Sequence, residues 1–188
     1  MEELGPGSAG VFEVGLCLAR MLCGQVKLVP IILNLAEYWA VSSAKISVPW
    51  GAVFHAGTPL RPYLTLKITG RHKRALQQLV FTTVSRDQGW SSHSSYIGTY
   101  EASWSWFEVR NRSVQAAGHA KVLQHNMHGS SQERTHRIIW VNNVRSPISD
   151  WMETFSDGDV LEVYARAHYR GWTNNVYSVQ VVAYTACF

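Results

Sequence analysis

Two short polar segments of this chain place hydrogen-bonding side chains beside a tryptophan. In the first, Asp87 supplies a carboxylate, Gln88 an amide and Trp90 a flat aromatic surface. This combination suits sugar hydroxyls and the apolar face of a pyranose ring. A second segment, residues 171–175, repeats it late in the chain. The candidate ligand-binding residues are Arg86, Asp87, Gln88, Trp90, Trp172, Asn174 and Asn175.

The same residue types also build turns. Asp87 can accept backbone N–H bonds in an Asx-turn, Gly89 can adopt a positive φ, and Trp90 can pack at the edge of a sandwich. Paired asparagines in a loop between strands more often cap turns than bind ligands. The turn chemistry favours the structural role, and the binding role stays open. We expect the two segments to lie at one end of the fold, where sandwich modules commonly carry ligand loops.

Catalytic signatures are missing from the sequence. It contains neither a Gly-x-Ser-x-Gly elbow nor a phosphate-binding glycine-rich loop. A glycosidase would need two carboxylates about 5 to 10 Å apart across a cleft. Asp87 and Glu108 meet that condition only if the fold brings them together.

A group of histidines invites a metal hypothesis. His125 and His128 have i, i+3 spacing, and Glu133 is the one nearby acidic residue that could complete a set of zinc ligands. Two further histidines, His119 and His136, lie on either side. Because a zinc site normally needs three or four ligands, we expect a polar hairpin loop here, with no metal and no cofactor.

The composition favours a β-sandwich. The 188 residues include eight Trp, eight Tyr and six Phe, whereas charged residues make up only 16%. Flat rings pack well on pleated sheets. The net charge is +4, and the one basic cluster, Arg71, Lys73 and Arg74, is too short to indicate nucleic-acid binding.

Seven segments have the residue pattern of strands, and turn-rich connections separate them. They are residues 63–68, 76–84, 104–110, 120–124, 136–141, 160–167 and 176–184. A short helix should begin after Ser146, which can cap it, and bury Ile148, Trp151, Met152 and Phe155. Trp104 and Trp106 share one face of their strand, which could form a flat aromatic platform, although we expect it to lie between the sheets.

The segments RDQGWS (86–91), GTY (98–100), SWSWFE (103–108) and GWTN (171–174) occur in this order. Together they resemble a β-sandwich domain found in many uncharacterised fungal proteins, over roughly residues 60–188. That domain is in turn similar, at the level of fold, to galactose-binding-like jelly rolls. The resemblance implies a mainly β, antiparallel, jelly-roll-like sandwich and no established activity.

The N-terminal part differs from the rest. Residues 1–57 read as a helical or partly disordered segment with a Pro/Gly-rich linker, and residues 58–188 as the sandwich, so removal of residues 1–55 should leave it folded. Neither apolar run, 11–22 or 26–35, reaches the length of a membrane span. An N-terminal helix on a membrane surface or a partner stays possible.

The three cysteines, Cys17, Cys23 and Cys187, show no zinc or disulfide spacing, and we expect buried free thiols in a reducing compartment. The acidic N-terminus does not resemble a signal peptide, so we expect a cytoplasmic protein. These patterns predict a non-catalytic ligand-binding module, with a glycan as the first candidate. A protein-interaction module is the alternative, and a glycan-active hydrolase comes third.

Overall fold

The computed structural model describes residues 6–69, 75–114, 119–142 and 145–186. The basic cluster at 71–74 and Cys187 lie outside these residues. The described chain forms an antiparallel sandwich of two four-stranded sheets, as the sequence predicts. The first sheet has the order β1-β8-β3-β6 and the second β2-β7-β4-β5.

The strands occupy nearly the predicted ranges. In chain order they are β1 (Ala40–His55), β2 (Leu64–Lys67), β3 (Leu76–Arg86), β4 (Ser105–Asn111), β5 (Lys121–His125), β6 (Arg134–Val141), β7 (Val160–Ala167) and β8 (Thr173–Thr185). All seven predicted strands are present. The sequence predicts that Asn174 and Asn175 lie in a loop. Both residues instead lie in a strand, because β8 begins at Thr173.

One strand was missed. The sequence predicts a linker around Pro49 and Gly51, but β1 runs through this stretch and pairs with β8 from Ala40 opposite Thr185 to His55 opposite Thr173. The register shifts between Ser47 and Ala52. Such an irregularity on an edge strand accommodates proline and glycine, which is why the segment resembles a loop in sequence.

The core lies between the two sheets. Alternate residues of each strand point into it, among them Phe81, Phe107, Val109, Leu161 and Val163, all fully buried. A short helix, α3 (Pro147–Met152), adds Trp151 and Met152 to the same core, and Phe155 follows it there. Its cap is the predicted one: the Ser146 hydroxyl accepts from the backbone N–H of Ser149 at 3.1 Å.

Two helices precede the sandwich, α1 (Ser8–Met21) and α2 (Leu28–Leu35). They form a small separate cluster in which Val11, Val29 and Leu33 pack with Ala40 at the start of β1. Cys17 and Cys23 are free, but both are exposed, so the expectation of buried thiols was wrong. No helix within the described residues is long and apolar enough to cross a membrane.

Candidate functional site

Three loops meet at one end of the sandwich, and we call them together the loop end: residues 87–104 after β3, 126–133 after β5 and 168–172 after β7. Gly98 and Thr99 exchange backbone hydrogen bonds with His128 at 3.0 and 2.7 Å. The side-chain oxygen of Gln88 accepts from the Thr173 backbone N–H at 3.4 Å. The two polar segments predicted to lie together are therefore neighbours in the structure.

Asp87 holds this end of the molecule together from the inside. Its side chain is completely buried. One carboxylate oxygen accepts from the backbone N–H of Gln88 and the other from that of Gly129, at 2.8 Å. Burial raises the pKa of Asp87 to about 6, although these two backbone hydrogen bonds and the nearby His128 act to lower it. A carboxylate so enclosed positions backbone and offers nothing to a ligand at the surface.

A buried polar network joins the two sheets beside Asp87. Asn126 lies at its centre, accepting from the Ser85 hydroxyl at 2.7 Å and donating to Ser105 and to the side-chain oxygen of Asn174, each at 3.0 Å. Asn174 in turn donates to the Trp106 carbonyl at 2.9 Å. All four side chains are at most 1% exposed. Because each is paired with another, the network links β3, β4 and β8 at the loop end.

Asn175 and Arg86 also have structural partners. The Asn175 amide donates to the Asp87 carbonyl at 3.1 Å and to Thr173 at 3.0 Å. Arg86 alternates with the buried Ser85 and therefore points away from the core, where its Nε donates to the Tyr177 hydroxyl at 2.8 Å. A second nitrogen of Arg86 donates to the same Asp87 carbonyl at 3.4 Å.

The histidines are held by the protein itself. His128 is buried, and its Nδ1 lies 3.2 and 3.1 Å from the carbonyl oxygens of Glu101 and Ala102, so this nitrogen donates. Its Nε2 lies 2.7 Å from the Ser91 hydroxyl. His125 lies elsewhere, with its ring against Trp106. Among the residues that the structure describes, no group of three or more His, Cys, Asp or Glu side chains could hold a metal ion.

Trp172 and Trp90 differ in exposure. Trp172 packs edge-on against the buried His128 ring, with 5.0 Å between centroids. Trp90 is 63% exposed. Its indole lies over Gly171, where a Cβ would be only 3.6 Å from the ring. Gln88 donates to the Trp90 carbonyl at 2.8 Å and so holds the backbone beneath this ring.

A second aromatic pair is exposed at the same end, and the sequence pattern did not single it out. Trp104 is 40% exposed and contacts Tyr169, with 4.8 Å between ring centroids. His168 packs against both rings, and its backbone N–H donates to the Trp104 carbonyl at 3.0 Å. Spacing along the chain could not reveal this pair, because its members come from different loops.

The expectation that Trp104 and Trp106 lie between the sheets was wrong. Phe107 and Val109 are the core residues of β4, so the alternate residues Trp106 and Glu108 point outward from the second sheet. Glu108 binds Arg110 there, at 2.6 Å. It therefore lies on an outer sheet face, whereas Asp87 is enclosed within the loop end, and the structure does not pair these two carboxylates across a cleft.

No known protein family matches this sequence, and no curated protein matches it either. The chain is weakly similar to several solved structures, among them the following three. Dimeric latent PorU from Porphyromonas gingivalis is 10% identical with a TM-score of 0.40, and the match covers 79% of this chain and 13% of the PorU chain. A family two carbohydrate esterase from Cellvibrio japonicus is 10% identical with a TM-score of 0.28, and the match covers 79% of this chain and 36% of the esterase chain.

The third is the Eiger TNF of S. frugiperda, 11% identical with a TM-score of 0.33, covering 78% of this chain and 87% of that chain. The chain thus spans well under two thirds of the length of the first two structures. All three have TM-scores of 0.40 or less.

Proposed function

We propose that the loop end is a non-catalytic glycan-binding site whose contact surface is aromatic. The observation that carries this proposal is the exposed Trp90 ring on a backbone that is fixed from beneath. An exposed indole is an apolar plane with an N–H donor at its edge, which suits the apolar face and the hydroxyls of a sugar. Trp104 and Tyr169 add a second exposed pair of rings at the same end.

In this proposal the polar residues divide into two roles. Asp87 and Asn174 are buried positioning residues, and they keep the loops in one arrangement before a ligand arrives. A rigid site loses little conformational entropy on binding. Trp90 would contact the sugar directly, with Gln88 as the nearest side-chain amide. Trp172 and Asn175 support the backbone from which these groups project.

We also propose that the chain is related to the uncharacterised fungal domain and to galactose-binding-like jelly rolls. Three of the four segments that carry the resemblance lie at this one end of the molecule. Residues 86–91 contain Asp87 and Trp90, residues 98–100 exchange hydrogen bonds with His128, and residues 171–174 contain Trp172 and Asn174. A cytoplasmic location is likewise a proposal.

The test is a glycan array on the full chain, followed by calorimetric titration of any glycan that it identifies. Trp90→Ala should remove a stacking surface worth about 1 to 2 kcal/mol, which weakens affinity about 5- to 30-fold. Trp50→Ala is the matched control, because Trp50 is a 94% exposed tryptophan on β1, outside the three loops. Unchanged affinity in folded Trp90→Ala and Trp104→Ala would refute the site.

A protein-interaction function is the second candidate, and α2 favours it. Leu28, Ile31 and Leu35 share one face of this helix and are 39%, 54% and 82% exposed. Contiguous exposed apolar surface marks interaction sites. Crosslinking of the full chain in a native extract should capture a protein that the variant with Ile31→Glu and Leu35→Glu does not. Vesicle flotation of the same two proteins tests the membrane alternative.

A further inference from the structure

The outer face of the second sheet combines arginines, carboxylates and rings in adjacent rows. Residues that alternate with the core positions of β4 and β7 form it. These residues are Trp106, Glu108, Arg110, Glu162, Tyr164 and Arg166, and we call them together the arginine face. Arg112, just beyond β4, extends it through its contact with Glu162.

Both glutamates of this face are already bound by the protein. Glu108 receives Arg110 at 2.6 Å and Arg166 at 3.2 Å on one oxygen, and the Trp106 Nε1–H at 3.3 Å on the other. Glu162 receives Arg112 and the Tyr164 hydroxyl, at 2.6 and 2.7 Å. Because every carboxylate oxygen has a donor, these glutamates position the arginines.

The arginines keep donors to spare. Each guanidinium has five N–H groups, so three of them offer far more donors than two carboxylates accept. The side chains of Arg110, Arg112 and Arg166 are 35%, 54% and 29% exposed. Arg110 lies over the Tyr164 ring at 4.8 Å and Arg166 near the Trp106 ring at 5.8 Å, which holds both guanidinium planes in place.

We propose that the arginine face binds an acidic oligosaccharide, a chain of sugar rings that carry carboxylate or sulfate groups. Fixed guanidinium planes match the two-oxygen geometry of these anions. The face is continuous with the rings at the loop end. Trp104 lies just before β4, two residues from Trp106, and its carbonyl accepts from the His168 backbone N–H, while Trp106 pairs with Arg166 in the sheet. A chain of sugars therefore meets rings and positive charges in succession.

The small net charge of the arginine face favours a sparsely charged polymer as its ligand over a nucleic acid. Three arginines against two glutamates leave the seven named residues of this surface with one net positive charge. Nucleic-acid surfaces concentrate positive charge, since each phosphate along the backbone must be neutralised. Here the anions of the ligand need to meet arginines only at intervals.

The arginine face lies outside the three loops of the loop end, so it can bind an acidic ligand even if the loop end binds no glycan. Calorimetric titration of the full chain with three ligands tests this proposal. They are a hyaluronan tetrasaccharide, which carries a carboxylate on every second sugar, a keratan sulfate tetrasaccharide, which carries sulfates at similar intervals, and the neutral maltotetraose. We expect at least one acidic ligand to bind more tightly than the neutral one, and the comparison of the two acidic ligands identifies the preferred anion. Affinity should fall as salt rises.

Arg112→Gln and Arg166→Gln should each weaken acidic binding about five- to tenfold, with Arg166→Lys in between. Arg137→Gln is the matched control, because Arg137 is an exposed arginine on the other sheet. Unaltered melting temperatures establish folding. The proposal is overturned if neither acidic ligand binds, if Arg137→Gln weakens binding equally, or if a single-stranded oligonucleotide binds more tightly than both.

Trp90→Ala separates the two sites. Loss of neutral-glycan binding in Trp90→Ala, with acidic binding intact, supports two distinct surfaces. Loss of acidic binding in Trp90→Ala, with Arg112→Gln unchanged, would place the acidic ligand at the loop end and refute the role of the arginine face.

Discussion

Substitution of Gly89 tests how the loop end is built. Gly89 has φ +92°, a conformation that L side chains rarely adopt. A Cβ at this residue would also lie 2.9 Å from the Ser131 Cβ and 3.3 Å from its Cα. The close neighbour includes backbone of the loop after β5, so it cannot move aside as the end of a flexible side chain would.

A side chain at Gly89 therefore destabilises the fold in two ways, through its backbone conformation and through the close contact with Ser131. A positive φ costs a non-glycine residue about 1 to 2 kcal/mol, and overpacking a well-packed site adds about 1 to 3 kcal/mol. Gly89→Val should therefore lower the free energy of unfolding by about 2 to 5 kcal/mol, which is a melting temperature lower by about 5 to 15 °C. Gln88→Ala loses two hydrogen bonds at a partly exposed residue and should cost only about 1 kcal/mol.

Gly98→Ala is the matched control. Gly98 also has a positive φ, +82°, but nothing lies within 4 Å of its would-be Cβ. Urea unfolding of Gly89→Ala and Gly98→Ala therefore separates the close approach from the backbone conformation, and Gly89→Ala should be the less stable by about 1 kcal/mol or more. If the two variants are equally stable, the contact with Ser131 has no energetic weight. If Gly89→Val and Gln88→Ala melt together, the reasoning about this turn is wrong.

Three further predictions concern stability, and urea unfolding checks each. Burial raises the pKa of Asp87 from 3.8 to about 6, so the folded state binds this proton more tightly than the unfolded state. The contribution of Asp87 to the free energy of unfolding should therefore rise by about 2 to 3 kcal/mol as the pH falls from 7 to 4. The Asp87→Asn variant should lack this rise, and identical pH profiles of the variant and the unmodified protein would contradict the prediction. Asn126→Ala should cost about 2 to 4 kcal/mol, because its buried partners lose their hydrogen bonds, and a cost below 1 kcal/mol would show that they find others. Deletion of residues 1–39 should preserve one cooperative transition, whereas deletion of 1–55 removes β1 from the edge of β8 and should abolish it; an intact transition in the longer deletion would restore the original boundary at residue 57.

Local pattern was enough for most strands. Side chains that face the core alternate with outward ones along a strand, and this local pattern correctly predicted β7 at residues 160–167. The same logic missed β1, because Pro49 and Gly51 are loop residues unless a neighbouring strand tolerates an irregular register. Only the pairing with β8 reveals that it does.

Alternation also left the direction of each face undecided. Trp104 and Trp106 had to share a face, but which face meets the core depends on the strands that flank β4. The structure pairs Trp106 with His125 and with Arg166, and the arginine face follows from that pairing. Residues about 20 and 60 positions away thus decide where this ring points.

The loop end shows the same division. The sequence by itself determined that Gly89 adopts a positive φ and that Trp90 follows it, since these are local backbone preferences. Whether Asp87 faces a ligand or the interior was decided by Gly129 and its neighbour His128, which the topology brings from the loop after β5. Burial and hydrogen bonding are properties of contacts distant in the chain, so only the tertiary structure could separate the buried carboxylate from the exposed indole three residues later.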